Sequence, residues 1–301
     1  MATDSAAHIE ALIGLSDVAG VAAETRERLS SASGNRLATR LVEHLRAYAA
    51  LDDLVPYFGD HRLPYNESSF QLNNSVCLAY SGFYVQAYAT LRSVCELSLL
   101  QAALPEGPVV TERQLELLRT MLPPDLGLPG ISDVNWVLPL GFGAQQSPDR
   151  AATTLEEWAI DGCRTPRWGS MFNLLMALEH AGQFASETQL RERFADSMGD
   201  LDSYVHARGR LRTATELCAC NAIRFNAETL LQFATRMMCA VQVSVTLLLV
   251  AFLPSATTHP DAAAGFLDAG DLENALKVLP VADANLIRKM DSERRDRDQS
   301  V

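Results

Sequence analysis

The sequence predicts an all-α fold, a helical bundle around two long core helices. Three observations lead there. Between Glu67 and Glu106 only Arg92 and Glu96 carry a formal charge, and no proline falls between Pro64 and Pro105. So long an unbroken apolar stretch reads as one helix over about 68–104 rather than as a strand. At ~1.5 Å per residue that helix would reach about 56 Å. A second apolar run, 222–253, has the same character and is its natural partner. No alternating apolar–polar run of the kind a half-buried strand needs is present, and no repeat period is visible.

The elements follow from local signals. Ile9, Leu12, Ile13 and Val18 stand at helical spacing within 5–31, with an interruption near Gly20, which reads as one helix or two short ones. Ser31-Ala-Ser-Gly breaks the pattern, and Leu37, Leu41, Leu45 and Tyr48 then form one apolar stripe. Residues 56–65 read as a loop before the central helix. Pro105, Gly107 and Pro108 end that helix, and Thr111 caps a shorter one to Leu122. Pro123, Pro124, Pro129, Pro139 and Pro148 mark an irregular connection over about 123–150. Thr154–Ile160 is a short helix carrying Trp158. Thr165 and Pro166 open another that runs to about Ala181. Ser186 to Gln189 has the form of a capping box. The helix after it puts Leu190, Phe194, Met198, Leu201 and Val205 on one face. Beyond Pro254, Asp271–Leu279 is helical. The organisation expected is one all-α domain over 1–290 and a disordered charged tail over 291–301.

Composition narrows the class. The chain has 301 residues, 48% hydrophobic and 21% charged, as in soluble globular proteins. A net charge of −12 argues against a general nucleic-acid or anionic-membrane surface. The six cysteines form no Cys-x-x-Cys pair, so buried free thiols in a reducing compartment are expected. Met1-Ala-Thr-Asp starts no signal peptide. Met237–Leu253 is at the lower length limit of a bilayer span and reads better as a core helix. The expectations are a cytoplasmic location, no membrane association, and a homo-oligomer left open.

Loops for nucleotide phosphates, a nucleophile elbow and H-E-x-x-H are absent from the sequence. His44 and His180 each follow a Glu but lack a second ligand at i+3 or i+4, so neither a metal nor a cofactor is expected. Two polar features remain. At 100° per residue Asn74, Ser81, Tyr88, Arg92 and Glu96 share a narrow sector of the central helix. They form either its least buried face or an internal network, and a lone buried pair must find partners on another helix. The second feature is Asp202-Ser203-Tyr204-Val205-His206, followed by Arg208, Arg210 and Arg212. Asp202 can orient His206 at i+4. The alternative is a half-exposed His at a helix C-terminus. A third and weaker anion site is the Pro166 helix start with Arg164, Arg167 and Trp168, where capping with a packed Trp serves as well.

The run from Ala87 through Arg92 to Glu96 in a long helix, with Ser203-Tyr-Val-His206 later, resembles bacterial all-α proteins similar to HEPN-type helical bundles. Many of these belong to toxins and phage-defence systems. The likeness covers roughly 68–253. The hallmark of HEPN ribonucleases, Arg then His with four to six residues between, is missing before both His206 and His180. The resemblance implies a composite, metal-independent site for cleaving or binding RNA. In it Arg92 would hold the phosphate, His206 would act as acid or base, and Glu96 would position Arg92. Asp202, Ser203, Tyr204, Arg208 and Arg210 would complete it. The alternative is a non-catalytic helical module that senses a ligand or protein partner, with the same residues as a brace. Both readings expect Arg92 and Glu96 to be buried against the Asp202–His206 segment.

Overall fold

A helix that is apolar around most of its circumference must be enclosed on all sides. Tyr84–Ala103 is that helix, and the others are arranged about it. A computed structural model of the chain describes residues 15–55, 62–103, 168–176, 178–205, 225–256 and 267–298. Their helices are α1 (Leu15–Ser30), α2 (Ala32–Ala49), α3 (Leu63–Tyr80), α4 (Tyr84–Ala103), α5 (Trp168–Met176), α6 (Glu179–Thr188), α7 (Leu190–Val205), α8 (Ala227–Phe252), α9 (Ala269–Leu276) and α10 (Val281–Asp298). The described residues contain no strand, so the fold is all-α. The thirty-seven residues expected as one central helix are two, α3 and α4. They fold back on each other at Ser81–Phe83, where Gly82 has φ 84°. Apolar periodicity could not locate this elbow, because both helices are apolar on the sides that meet.

α4 packs on α3, α8, α7 and α5. Leu91, Val94, Cys95, Leu99 and Leu100 are fully buried, each Leu worth ~1.5–3 kcal/mol of burial. α8 begins at Asn226, whose Oδ1 accepts the Thr229 N–H at 2.9 Å. From Met237 to Leu253 it is buried at nearly every position. Among the described residues, Ala227–Ser255 is long and apolar enough to cross a membrane, and 83% of its most apolar window lies inside the protein. Two of its interior polar groups are satisfied: Gln242 Nε2 donates to Val278 O at 2.7 Å, and Thr246 to Gln242 O at 2.9 Å.

Polar groups tie α2, α3 and α4 together. The Tyr48 hydroxyl bonds Ser68 at 2.5 Å and Ser98 at 2.9 Å, and its ring stacks on Tyr65 at 5.5 Å. Burial pushes the Tyr48 phenol up to about 12, against the pull of the two serines. Arg62 precedes α3 without a side-chain cap, and Gln101 of α4 fills in by accepting the Tyr65 N–H at 3.1 Å. α1 and α2 approach so closely that a Cβ at Gly34 would sit 1.9 Å from Arg28 O.

Of the two forms expected near Gly20, one helix or two short ones, the described residues show one, since α1 runs through Gly20. Other expectations need correction. The helix expected to reach Ala181 stops at Met176, and Leu178 is extended (ψ 121°) at the start of α6. Ser186–Gln189 is no capping box. Ser186 lies in the last turn of α6, and its hydroxyl donates back to Gln183 O at 2.8 Å. Gln189 takes the left-handed conformation (φ 54°) that ends α6. The charged run from Asp291 is no disordered tail up to Asp298, because α10 continues through it. Arg294 and Asp291 are buried and paired at 2.6 Å, and Arg294 Nη1 donates to Ala256 O at 3.1 Å. Pairing of this kind is invisible to composition. Cys77 and Cys239 are exposed rather than buried, and Cys95 is buried, all as free thiols. The expected helices 111–122 and 154–160, the connection 123–150 and the remaining cysteines lie outside the described residues.

The elbow gives a direct test. A φ of 84° suits glycine and strains any residue with a Cβ. Gly82→Ala should lower stability by ~1–2 kcal/mol in urea unfolding with an unchanged m value. A neutral result would mean that the α3–α4 turn is not as described.

Candidate functional site

The polar groups singled out on the central helix divide between two places. Asn74 and Ser81 stay with α3 and the elbow, while Tyr88, Arg92 and Glu96 lie on one side of α4, one turn apart. That side faces the C-terminal half of α7. Phe194, Met198 and Leu201 of α7 are buried at helical spacing, which sets the rotation of the helix and brings Asp202 and Tyr204 to α4.

Three contacts fasten this seam. The Arg92 guanidinium forms a fork with Glu96, Nη1 to Oε2 and Nη2 to Oε1, both at 2.8 Å. Arg92 Nε donates to Asp202 Oδ1 of α7. Beside them the Tyr88 and Tyr204 rings stack with centroids 3.8 Å apart and planes 16° from parallel, and Phe233 of α8 meets Tyr88 edge-on at 5.6 Å. A third ion pair, Arg236 with Asp200, joins α8 to α7. Ser203 turns its hydroxyl back to Asp200 O at 2.5 Å. Arg92, Glu96 and Asp202 keep only 24%, 18% and 25% of their side-chain exposure, so the seam is half-buried rather than sealed.

Burial raises the Glu96 carboxyl above the ordinary range. Arg92 pulls it down, and the Asp202 charge adds to the rise. The neighbouring Cys95 thiol is pushed up to about 12 by burial, which makes it a poor nucleophile. Burial, with Tyr204 beside it, also raises the Tyr88 phenol.

The structure therefore brings together Arg92, Glu96, Asp202, Ser203 and Tyr204. Trp168 stands apart at the start of α5, with its ring 5.7 Å from Phe194 near the other end of α7. It serves as a packed aromatic. His206, Arg164, Arg167, Arg208, Arg210 and Arg212 lie outside the described residues. Sequence reasoning missed Arg236 and Asp200. One signal was present: Arg236 is the last charge before the long apolar run of α8, a position that calls for a partner. The described residues contain no group of three or more His, Cys, Asp or Glu arranged to hold a metal ion.

No protein-family model, curated protein or solved structure matches the chain.

The seam makes opposite predictions for its two ends. Arg92→Ala leaves Glu96 and Asp202 facing each other without their shared cation and should cost about 2 kcal/mol. Glu96 behaves differently. Its folded-state pKa is raised, so between the unfolded value near 4.5 and the folded one the native state holds more proton than the unfolded chain. Stability through this group is present below pH 4.5 and is lost as pH rises through that window. Glu96→Gln should therefore be neutral or stabilising at pH 7, since Arg92 keeps Asp202. Chemical denaturation of both variants at pH 4 and pH 7 would check this. A larger loss for Glu96→Gln than for Arg92→Ala at pH 7 would contradict it.

Proposed function

We propose that the protein is a non-catalytic helical module that works by binding a partner, and that the Arg92 seam is its internal brace. The observation carrying this reading is the state of Arg92. A guanidinium that is to stabilise a phosphate must present free N–H donors to it. Here the fork is closed on Glu96 and Nε is closed on Asp202. Carboxylates thus engage three of its five N–H donors, and a phosphate at Arg92 would have to lie against two carboxylates.

Local charge supports the same reading. Among the described residues, three carboxylates (Glu96, Asp200, Asp202) stand against two guanidinium groups (Arg92, Arg236) along the seam. A negative surplus repels a polyanion, and the chain as a whole carries −12. The residues suit bracing instead. They cross from α4 to α7 and from α8 to α7, and the stacked tyrosines lie beside them. The RNA-cleaving alternative would place Arg92 and His206 in one site, with the phosphate beside both carboxylate partners of Arg92.

The test is incubation of the purified full chain with mixed-sequence single-stranded RNA, with and without a chelator. The expected outcome is intact RNA in both. Cleavage by the wild type that a folded His206→Ala variant loses would overturn the proposal and restore the composite ribonuclease site.

A further inference from the structure

His44 is a buried titratable group that the Arg92 seam does not use. It stands on the inner side of α2 among Leu41, Ala47 and Tyr48, and only 4% of its surface is exposed. α1, α8 and α9 pack against α2, and α3 touches it as well. The two ring nitrogens differ. Nδ1 lies 2.7 Å from Arg40 O, one turn back on the same helix. A carbonyl can only accept, so Nδ1 carries the proton and the neutral ring is the Nδ1–H tautomer. Nε2 is therefore the basic nitrogen. It is out of reach of solvent and has no hydrogen-bond partner among the described residues.

An added proton has one place to go, and that place is closed. Protonation of Nε2 would create a buried N–H and a buried charge together. Two charged groups act on the ring, both on α2: Arg40 opposes the charge and Glu43 favours it. Among the described residues no charge on the surrounding helices acts on it, neither Glu24, Glu27 and Arg28 of α1, Glu67 of α3, nor Asp271 and Glu273 of α9. α8 carries no charge from Met237 to Leu253. Tyr48, one turn on, keeps its phenol bonded to Ser68 and Ser98. Burial holds the imidazole below its ordinary value of 6.5, against the pull of the Arg40 carbonyl. Below pH 6.5 the folded chain therefore binds fewer protons than the unfolded one. Stability through His44 is full above that pH and is lost as pH falls from there to the folded value. Glu96 cannot supply the same effect, because its contribution grows as pH falls.

We propose that His44 is a proton-operated latch: the neutral Nδ1–H ring holds α2 against the helices around it, and uptake of one proton at Nε2 below neutral pH releases α2 together with α1. α1 follows because it packs chiefly on α2. The test uses the isotope-labelled full chain. Proton–nitrogen NMR spectra of the imidazole rings, with His44 assigned through its backbone resonances, should show the Nδ1–H tautomer at pH 7.5. The ring should still be neutral at pH 6, where an unperturbed imidazole is about three-quarters protonated. Hydrogen exchange of the α1 and α2 amides is measured alongside, as protection over the intrinsic rate. Protection should fall by up to about tenfold between pH 7.5 and 5.5, the limit for one proton on an unperturbed imidazole. His44→Asn should remove this dependence, because its amide can donate to Arg40 O as Nδ1 does but takes no charge. Amides of α7 should keep their protection in both proteins. The proposal is overturned by an Nε2–H ring, by a ring already charged at pH 6, or by pH-independent protection of α2 in the wild type. The same pH dependence in His44→Asn overturns it too, as does a loss shared equally with α7, which is global acid unfolding. If His44→Asn does not fold, the ring spectra and the wild-type exchange decide by themselves.

Discussion

The enclosure of α4 is the constraint from which the rest of the molecule follows. A twenty-residue helix with two formal charges cannot face water on any large part of its surface. α3, α5, α7 and α8 cover it. Once it is enclosed, its polar groups must be answered from neighbouring helices. Ser98 is answered by Tyr48 of α2, Gln101 by the Tyr65 N–H of α3, and Arg92 by Asp202 of α7. Hydrophobic burial places the helices, and these bonds select one arrangement among the apolar packings that would be nearly as good.

The Arg92 seam illustrates how weakly an ion pair identifies a function. The raised carboxyl of Glu96 beside an arginine is the kind of perturbed group that marks active sites. Burial produces the same perturbation wherever a helix interface needs a bridge. What separates the two cases is how far the cation is already committed, and Arg92 has both its fork and its Nε engaged by carboxylates.

Much of this was legible in the chain itself. The all-α class, the partnership of the two apolar segments and the need of Arg92 for a partner beyond its own helix could be read from charge and periodicity. These are local properties, because a 3.6-residue period and the cost of an unpaired charge act whatever the rest of the chain does. The Asp202–His206 segment is expected to meet Arg92, but Asp202 stands out in the sequence only as a neighbour of His206. The tertiary structure decided what depends on neighbours distant in sequence. It turned one expected helix into two at Gly82, and that turn divided a single polar line between α3 and the Arg92 brace on α4. It ordered Asp291–Asp298 by pairing Arg294 with Asp291 and with a carbonyl at Ala256. It gave Asp200 its partner Arg236. The physical reason is the same in each case. Apolar pattern determines that a surface must be covered, while only the packed chain determines which surface covers it and which polar groups then meet.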